Sequence, residues 1–231
     1  MSEKLSTFYA GARDICPILL GVIPFGLICG AVCVNVGMPE WGAVGMSTII
    51  FAGAAQLAAA QLLGDNAPLT VVILTGLVIN VRFLMYSASL APHLKGLHPV
   101  KKAGLAYMLT DQAYAMSITR FTKPDGESVD KVSYYLGTAV LMWVAFNGTT
   151  LIGAYVGALI PAQWNLDFAI PLTFTALVIP AVKDKPTLLA AVVAGAVSYF
   201  ADPLPYNLGL ITAAMAGICV GFGTEWRQAN G

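Results

Sequence analysis

Two opposite charges stand in the middle of apolar stretches of this chain. Arg82 lies within Leu77–Tyr86, and Asp111 lies within Met108–Tyr114. An arginine at the centre of a bilayer costs about 2.5–3.5 kcal/mol on insertion scales, so such charges face a protein interior or a wet cavity. If the two segments form an antiparallel hairpin, residues equally far from its turn lie at equal depth, and both charges are 14.5 residues from position 96.5. The spacing therefore predicts an ion pair.

Such a pair has two interpretations. It is either a permanent salt bridge that fixes the hairpin or a site that binds a substrate. Asn80, Thr110 and Gln112 add more polarity around the charges than a salt bridge requires, which favours a site. A zwitterionic amino acid needs a cation for its carboxylate and an anion for its ammonium group, so Arg82 and Asp111 are the candidate substrate-binding residues, with Asn80 and Gln112 beside them.

Two further amides fall near the middle of apolar segments. Gln56 follows the Gly/Ala-rich run 49–55, where a broken helix is expected to line a cavity, or small residues simply admit a neighbouring helix. Asn147 precedes Gly148 in a second polar stretch that predicts a break. Both amides are candidates for the substrate cavity, and hydrogen bonding between helices remains the alternative for each.

The composition defines the class of protein. Hydrophobic residues make up 58% of the 231 residues and charged residues only 10%, with mean hydropathy +0.75. These values indicate a polytopic integral membrane protein, and the zero net charge gives no reason to expect nucleic-acid binding. No loop is long enough for a soluble domain, and the chain carries neither a nucleotide-binding loop nor a catalytic motif. We expect no enzyme activity, no cofactor and no metal site.

The apolar windows predict an all-α membrane protein with about eight transmembrane helices, or alternatively seven, some of them kinked or discontinuous. Pro17 and Pro24 predict a kink in the first helix. Residues 1–231 are expected to form one transmembrane transporter domain, with 1–121 and 132–231 as parallel repeat halves. The windows are 15–36, 42–63, 68–91, 101–121, 132–160, 166–182, 186–202 and 206–223.

The distribution of basic residues predicts a cytoplasmic N-terminus. In an eight-span topology eight loop Lys and Arg residues fall on the cytoplasmic side, and Lys95, Lys101 and Lys102 fall on the other. This basic third loop contradicts the rule, and a second segment that does not cross would move it.

Small residues recur at the spacing that lets helices approach closely. The GxxxG pairs are Gly26/Gly30, Gly153/Gly157 and Gly217/Gly221. They serve either packing within the chain or a subunit interface, for which the last helix is the best candidate.

Several motifs together resemble the AzlC/YgaZ family, the large subunits of branched-chain amino acid exporters. They are Phe51–Gln56, Asn80–Arg82, Ser89–Leu94, Leu109–Asp111, Trp143–Gly153 and Leu166–Phe174. The resemblance implies a secondary transporter of the bacterial inner membrane that exports valine, leucine or isoleucine with a small hydrophobic subunit of the AzlD/YgaH type. The family often has an acidic residue where this chain has Gln112, which assigns any proton coupling to Asp111. A passive channel and a scaffold subunit remain the alternative functions.

Overall fold

A computed structural model describes residues 3–158, 182, 184–201 and 208–230, and every regular element in that part of the chain is helical. The predicted all-α membrane fold is confirmed. Short 3-10 turns at Ala91–Leu94 and Gly126–Ser128 join some of the helices. The helices are α1 (Glu3–Asn35), α2 (Glu40–Ile50), α3 (Gly53–Gly64), α4 (Leu69–Asn80), α5 (Arg82–Leu90), α6 (Pro99–Tyr107), α7 (Asp111–Phe121), α8 (Lys131–Ala158), α9 (Lys185–Ala201) and α10 (Leu208–Asn230).

The centre of the bundle is a parallel pair, α1 and α8. Going up both helices, Gly11 meets Tyr134, Gly26 meets Thr149, and Gly30 meets Ala154. A methyl group built on Gly30 would lie 2.1 Å from the Thr150 carbonyl oxygen, so glycine is what allows this approach. The first two GxxxG pairs therefore interlock with each other, as expected for helix packing within the chain. We call the end at which α1 and α8 begin the basal end and the other the distal end.

Helices α2 and α3 form a hairpin that turns back halfway along α1, which we call hairpin A. The Gln56 side chain donates to the Ala43 carbonyl at 3.2 Å. A straight helix would separate these residues by about 20 Å, so the chain must reverse between them. Phe51 and Ala52 form the tip, while Gly64 packs on Val36 at the distal end. The helix break predicted in this window is confirmed.

Helices α6 and α7 form a second hairpin, hairpin B, which enters from the basal end. Arg82, Tyr86 and His93 of the α5 segment contact Asp111, Tyr114 and Phe121 in the same order, so α5 and α7 run parallel. Because α6 leads from the end of α5 to the start of α7, it runs the opposite way. Met108, Leu109 and Thr110 form its tip.

The two hairpins belong to two similar units of opposite direction. Each unit is a long helical segment followed by a half-length hairpin: α1 with hairpin A, then α4–α5 with hairpin B. Three described segments are long and apolar enough to cross a membrane, namely Glu3–Asn35, Leu69–Leu94 and Lys131–Ala158. Windows 42–63 and 101–121 are hairpins rather than single spans. These two windows were counted in the predicted total of eight or seven spans, which is therefore unconfirmed, and window 166–182 lies outside the described residues apart from residue 182.

This topology collects the positive charge at one end. Apart from Arg82, every Lys and Arg between residues 3 and 158 lies towards the basal end. They are Lys4, Arg13, Lys95, Lys101, Lys102, Arg120, Lys123 and Lys131. The loops at the distal end, 36–39 and 65–68, carry none. The basic loop with Lys95, Lys101 and Lys102, which contradicted the expected charge distribution in the eight-span topology, lies at the same end as the other basic residues.

The structure bears on three predictions for the second half of the chain: the break at Asn147, the role of the small residues in the last helix, and the repeat halves. The break expected at Asn147 and Gly148 is wrong, because α8 continues without interruption to Ala158. The small residues of α10 face α9: Gly209 meets Ala201, and Gly217 meets Ala190 and Ala194. Parallel halves 1–121 and 132–231 stay a prediction, although the parallel course of α1 and α8 agrees with them.

Candidate functional site

The predicted partners meet where two helices begin. Arg82 Nη1 lies 3.0 Å from Asp111 Oδ2, and the side chains are 31% and 38% exposed. Arg82 is the first residue of α5 and Asp111 the first of α7, at the tip of hairpin B. The two charged segments run parallel, so the predicted antiparallel hairpin between them is wrong. The count from the turn still gave the right pairing, because α5 runs to the basal end and α6 runs back over a similar number of residues before Asp111.

The start of α7 positions the carboxylate of Asp111. Thr110 is extended, and its hydroxyl accepts from the Ala113 backbone N–H at 3.2 Å, so it caps the helix. Asp111 then occupies the first turn, where the helix dipole stabilises negative charge by about 0.3–1 kcal/mol. The cap thus fixes the position of this group.

Aromatic side chains hold α5 against α7 below the pair. Tyr86 stacks on Tyr114 with ring centroids 4.4 Å apart, and the Tyr114 hydroxyl bonds Ser89 at 3.1 Å. Tyr86 lies within electrostatic reach of Arg82 and Asp111. Stacked rings restrict movement of the two helices, so the charges are presented on a rigid support.

Among the residues that the structure describes, three buried polar atoms around the pair have no hydrogen-bond partner. They are Arg82 Nε, Asp111 Oδ1 and Asn80 Oδ1. Buried polar groups are nearly always hydrogen-bonded, and each unpaired one costs about 1–3 kcal/mol. One donor and two acceptors are therefore available here to a ligand or to water.

The other predicted residues are placed differently. Gln112 follows Asp111 in the first turn of α7 and is half-buried. Gln56 is fully buried, with its amide bonded to Ala43 and 3.6 Å from the Cys33 sulfur, while its Oε1 is unpaired. Asn147 Oδ1 accepts from Ser47 at 3.0 Å and from Thr48 at 3.1 Å. These bonds tie α8 to hairpin A, which matches the alternative interpretation given to Asn147.

The tip of hairpin A is strained. Phe51 has φ 46° and ψ 43°, a left-handed conformation that is unusual for a bulky residue and costs about 1–3 kcal/mol. Its ring is buried between Tyr107 and Phe146, at centroid distances of 6.3 and 6.0 Å. Packing against hairpin B and α8 thus offsets the cost of the turn.

The sequence analysis did not identify Tyr107, Trp143 or Thr48 as site residues. The Tyr107 hydroxyl donates to the Thr48 carbonyl and accepts from Trp143 Nε1 at 2.9 Å. The only sequence signal was a hydroxyl-bearing residue one turn before Asp111, in the middle of an apolar window. The sequence does not show that Tyr107 contacts hairpin A, because this contact depends on how the two hairpins pack.

A second Arg–Asp pair shows what a purely surface bridge looks like in this protein. Arg120 and Asp125 form two hydrogen bonds of 2.8 Å at the basal end, and the hydrogen bond from Arg120 lowers the pKa of the Asp125 carboxyl. The carboxylate is largely solvated, so the pair contributes little to stability. Among the described residues, no group of three His, Cys, Asp or Glu side chains could hold a metal ion.

The comparisons with known proteins agree with this architecture. Residues 17–160 match the profile of the "AzlC protein" family, a range that contains both hairpins, the Arg82–Asp111 pair and all of α8. The chain belongs to the AzlC family. Within the family it is 26% identical over 234 residues to "Inner membrane protein YgaZ" of Escherichia coli K12, covering 97% of this chain and 94% of that protein.

The chain is also similar to two relatives from other organisms. The chain is 29% identical to an "Uncharacterized membrane protein" of Archaeoglobus fulgidus, covering 93% of this chain and 94% of the relative. It is 27% identical to "Branched-chain amino acid transport protein AzlC" of Bacillus subtilis 168, covering 77% and 70%. No solved structure matches it. This AzlC-family chain is therefore a membrane protein of a transport-related family.

Proposed function

We propose that this protein is the large subunit of a secondary transporter that exports branched-chain and other hydrophobic amino acids, such as valine, leucine and isoleucine. The observation that carries the proposal is the mid-depth Arg82–Asp111 pair with its three unpaired polar atoms. The name of the Bacillus subtilis relative, a branched-chain amino acid transport protein, supports branched-chain amino acids as the substrate class. Binding at the depth where discontinuous helices of opposed units meet is common in secondary transporters.

The three free atoms complement a zwitterion. Arg82 Nε–H donates to the substrate carboxylate, and Asp111 Oδ1 and Asn80 Oδ1 accept from its ammonium group. A purely structural bridge would leave these three atoms to water, whereas a bound amino acid pairs all three directly. In this proposal Gln112 borders the same site, while Gln56 and Asn147, whose amides bond within the chain, hold hairpin A in place beside it.

The charge distribution supports an N-terminus in the cytoplasm. The basal end carries all eight Lys and Arg residues of the segment 3–158 other than Arg82, and cytoplasmic loops are the ones enriched in these residues. Hairpin A then enters the bacterial inner membrane from outside and hairpin B from the cytoplasm, so export moves substrate from the side of B to the side of A.

Two further parts of the proposal come from the family resemblance. The protein works with a small hydrophobic membrane subunit of the AzlD/YgaH type, for which the exposed apolar face of α4 offers a large surface, including Leu69, Ile73, Leu74 and Leu77. Any coupling proton is carried by Asp111, the carboxylate at the site.

The test is counterflow of labelled valine into proteoliposomes, with and without the small subunit. Saturable counterflow is expected for the complex, and Arg82→Gln should reduce it at least tenfold because the substrate carboxylate loses its cation. Arg120→Gln, which breaks the surface pair, is the matched control and should transport normally. Unsaturable flux would indicate a channel instead, and equal counterflow by the small subunit alone would make this chain a scaffold.

A further inference from the structure

The tips of the two hairpins touch at mid-depth, and one side chain joins them. Tyr107, the last residue of α6, donates its hydroxyl proton to the carbonyl of Thr48 in the last turn of α2. The same oxygen accepts from Trp143 Nε1–H of α8 at 2.9 Å. Tyr107 therefore bonds both the opposing hairpin and the helix against which both hairpins rest.

Helix α8 holds the two tips from adjacent turns. Trp143 holds hairpin B through Tyr107, and Asn147, four residues later, holds hairpin A through Ser47 and Thr48. Side chains four apart lie on one face of a helix, so this face of α8 aligns the tips with each other. The contact between them needs only the Tyr107 hydroxyl and the packing of Phe51 on the Tyr107 ring.

The tip contact lies next to the Arg82–Asp111 pair. Tyr107 and Asp111 stand on either side of the three-residue tip of hairpin B. Hairpin A lies on the distal side of this point and hairpin B on the basal side, so the two tips meet between the ends of the bundle, beside the ion pair. The left-handed Phe51 is also held by this packing.

We propose that Tyr107 is a positioning residue for transport: its hydroxyl holds the tips of hairpins A and B together, and this bond must break each time a substrate passes. The inference rests on the proposed transport function. It assigns control of access to the Arg82–Asp111 pair to Tyr107, which is not part of that pair. Tyr107 touches no substrate in this mechanism and acts through the two tips.

Cross-linking tests whether the tips must separate. In a background with Cys16→Ser and Cys219→Ser, which removes the two exposed thiols, Thr48→Cys and Tyr107→Cys are joined by a short reducible bis-thiosulfonate reagent. Valine counterflow should fall at least tenfold after cross-linking and return on reduction, while valine binding changes less than threefold. The controls are the two variants that carry only one of the added cysteines, treated with the same reagent. Full counterflow in the cross-linked protein would overturn the proposal.

A second measurement does not depend on valine. Ala52→Cys reports on the tip of hairpin A, because Ala52 is buried there. Its rate of reaction with a small thiosulfonate should rise at least tenfold when Tyr107→Phe removes only the hydroxyl, and it should not change with Tyr9→Phe at an exposed site. An unchanged rate contradicts the role of Tyr107. If wild-type protein shows no valine counterflow but this rate rises, the transport assignment fails and the tip contact stands.

Discussion

Arg82 Nη1 and Asp111 Oδ2 lie 3.0 Å apart at the first residues of two parallel helices, α5 and α7. Helix α6 connects the end of α5 to the start of α7, so it must run in the opposite direction to both. The contact between Arg82 and Asp111 therefore requires the chain to reverse at Met108–Thr110. The half-length hairpin is what places a carboxylate at mid-depth beside the arginine.

Exchanging the two charges distinguishes a binding site from a structural bridge. Arg82→Asp with Asp111→Arg keeps an ion pair, but it reverses the charges presented to the zwitterion and puts a cation at the start of α7, where the dipole opposes it. We expect an inserted protein whose valine counterflow stays at least tenfold below wild type. The same exchange at Arg120 and Asp125 is the control. Recovered transport in the Arg82/Asp111 exchange would contradict the substrate-site proposal.

Two glycines of α8 should respond in opposite ways to alanine. A methyl group on Gly153 would lie 2.1 Å from the Leu27 carbonyl oxygen, whereas none on Gly148 would meet an atom within 4 Å. Gly153→Ala must push α1 and α8 apart and should cost about 1–3 kcal/mol or more. Gly148→Ala should be neutral or stabilise by up to about 1 kcal/mol through helix propensity. Thermal unfolding in detergent measures both, and equal melting temperatures would refute the close packing.

Asn147 should matter for stability more than its position in an apolar helix suggests. Asn147→Ala leaves the hydroxyls of Ser47 and Thr48 without their shared acceptor, and Ser47 is fully buried. The expected loss is about 1–3 kcal/mol. Gln61→Ala, at an exposed position of α3, is the control. A melting temperature that matches the control would mean that Asn147 does not hold hairpin A.

Thiol labelling from each side of the membrane tests the hairpin topology. With Cys16 and Cys219 replaced by serine, Lys95→Cys should react with a membrane-impermeant maleimide only from the cytoplasmic side, since hairpin A returns to the distal end and α4–α5 then runs back to the basal end. Asn35→Cys, at the distal end of α1, should react only from outside. An eight-span topology without hairpins places Lys95 outside, so labelling of both Lys95→Cys and Asn35→Cys from outside would exclude hairpin A.

Much of the site could be predicted because charge in an apolar segment is conspicuous. The cost of Arg82 and Asp111 in a membrane limits where they can lie, and their equal distance from the turn gives their pairing. The Gly/Ala-rich run before Gln56 similarly predicts a break, since small residues and a polar group disfavour an uninterrupted span. The break expected at Asn147 was wrong because an amide satisfied by Ser47 and Thr48 needs no interruption of its own helix.

By itself the sequence determined the class of protein, its main helices and the two charges that meet, because each follows from hydropathy, span length and the cost of burying charge. The tertiary structure decided the direction of each segment. Two apolar windows of spanning length became hairpins, and this reversal moved Lys95 to the basal end and brought Tyr107 to Thr48. Hydropathy records how apolar a segment is, whereas its direction depends on contacts between residues far apart in the chain, which no local pattern encodes.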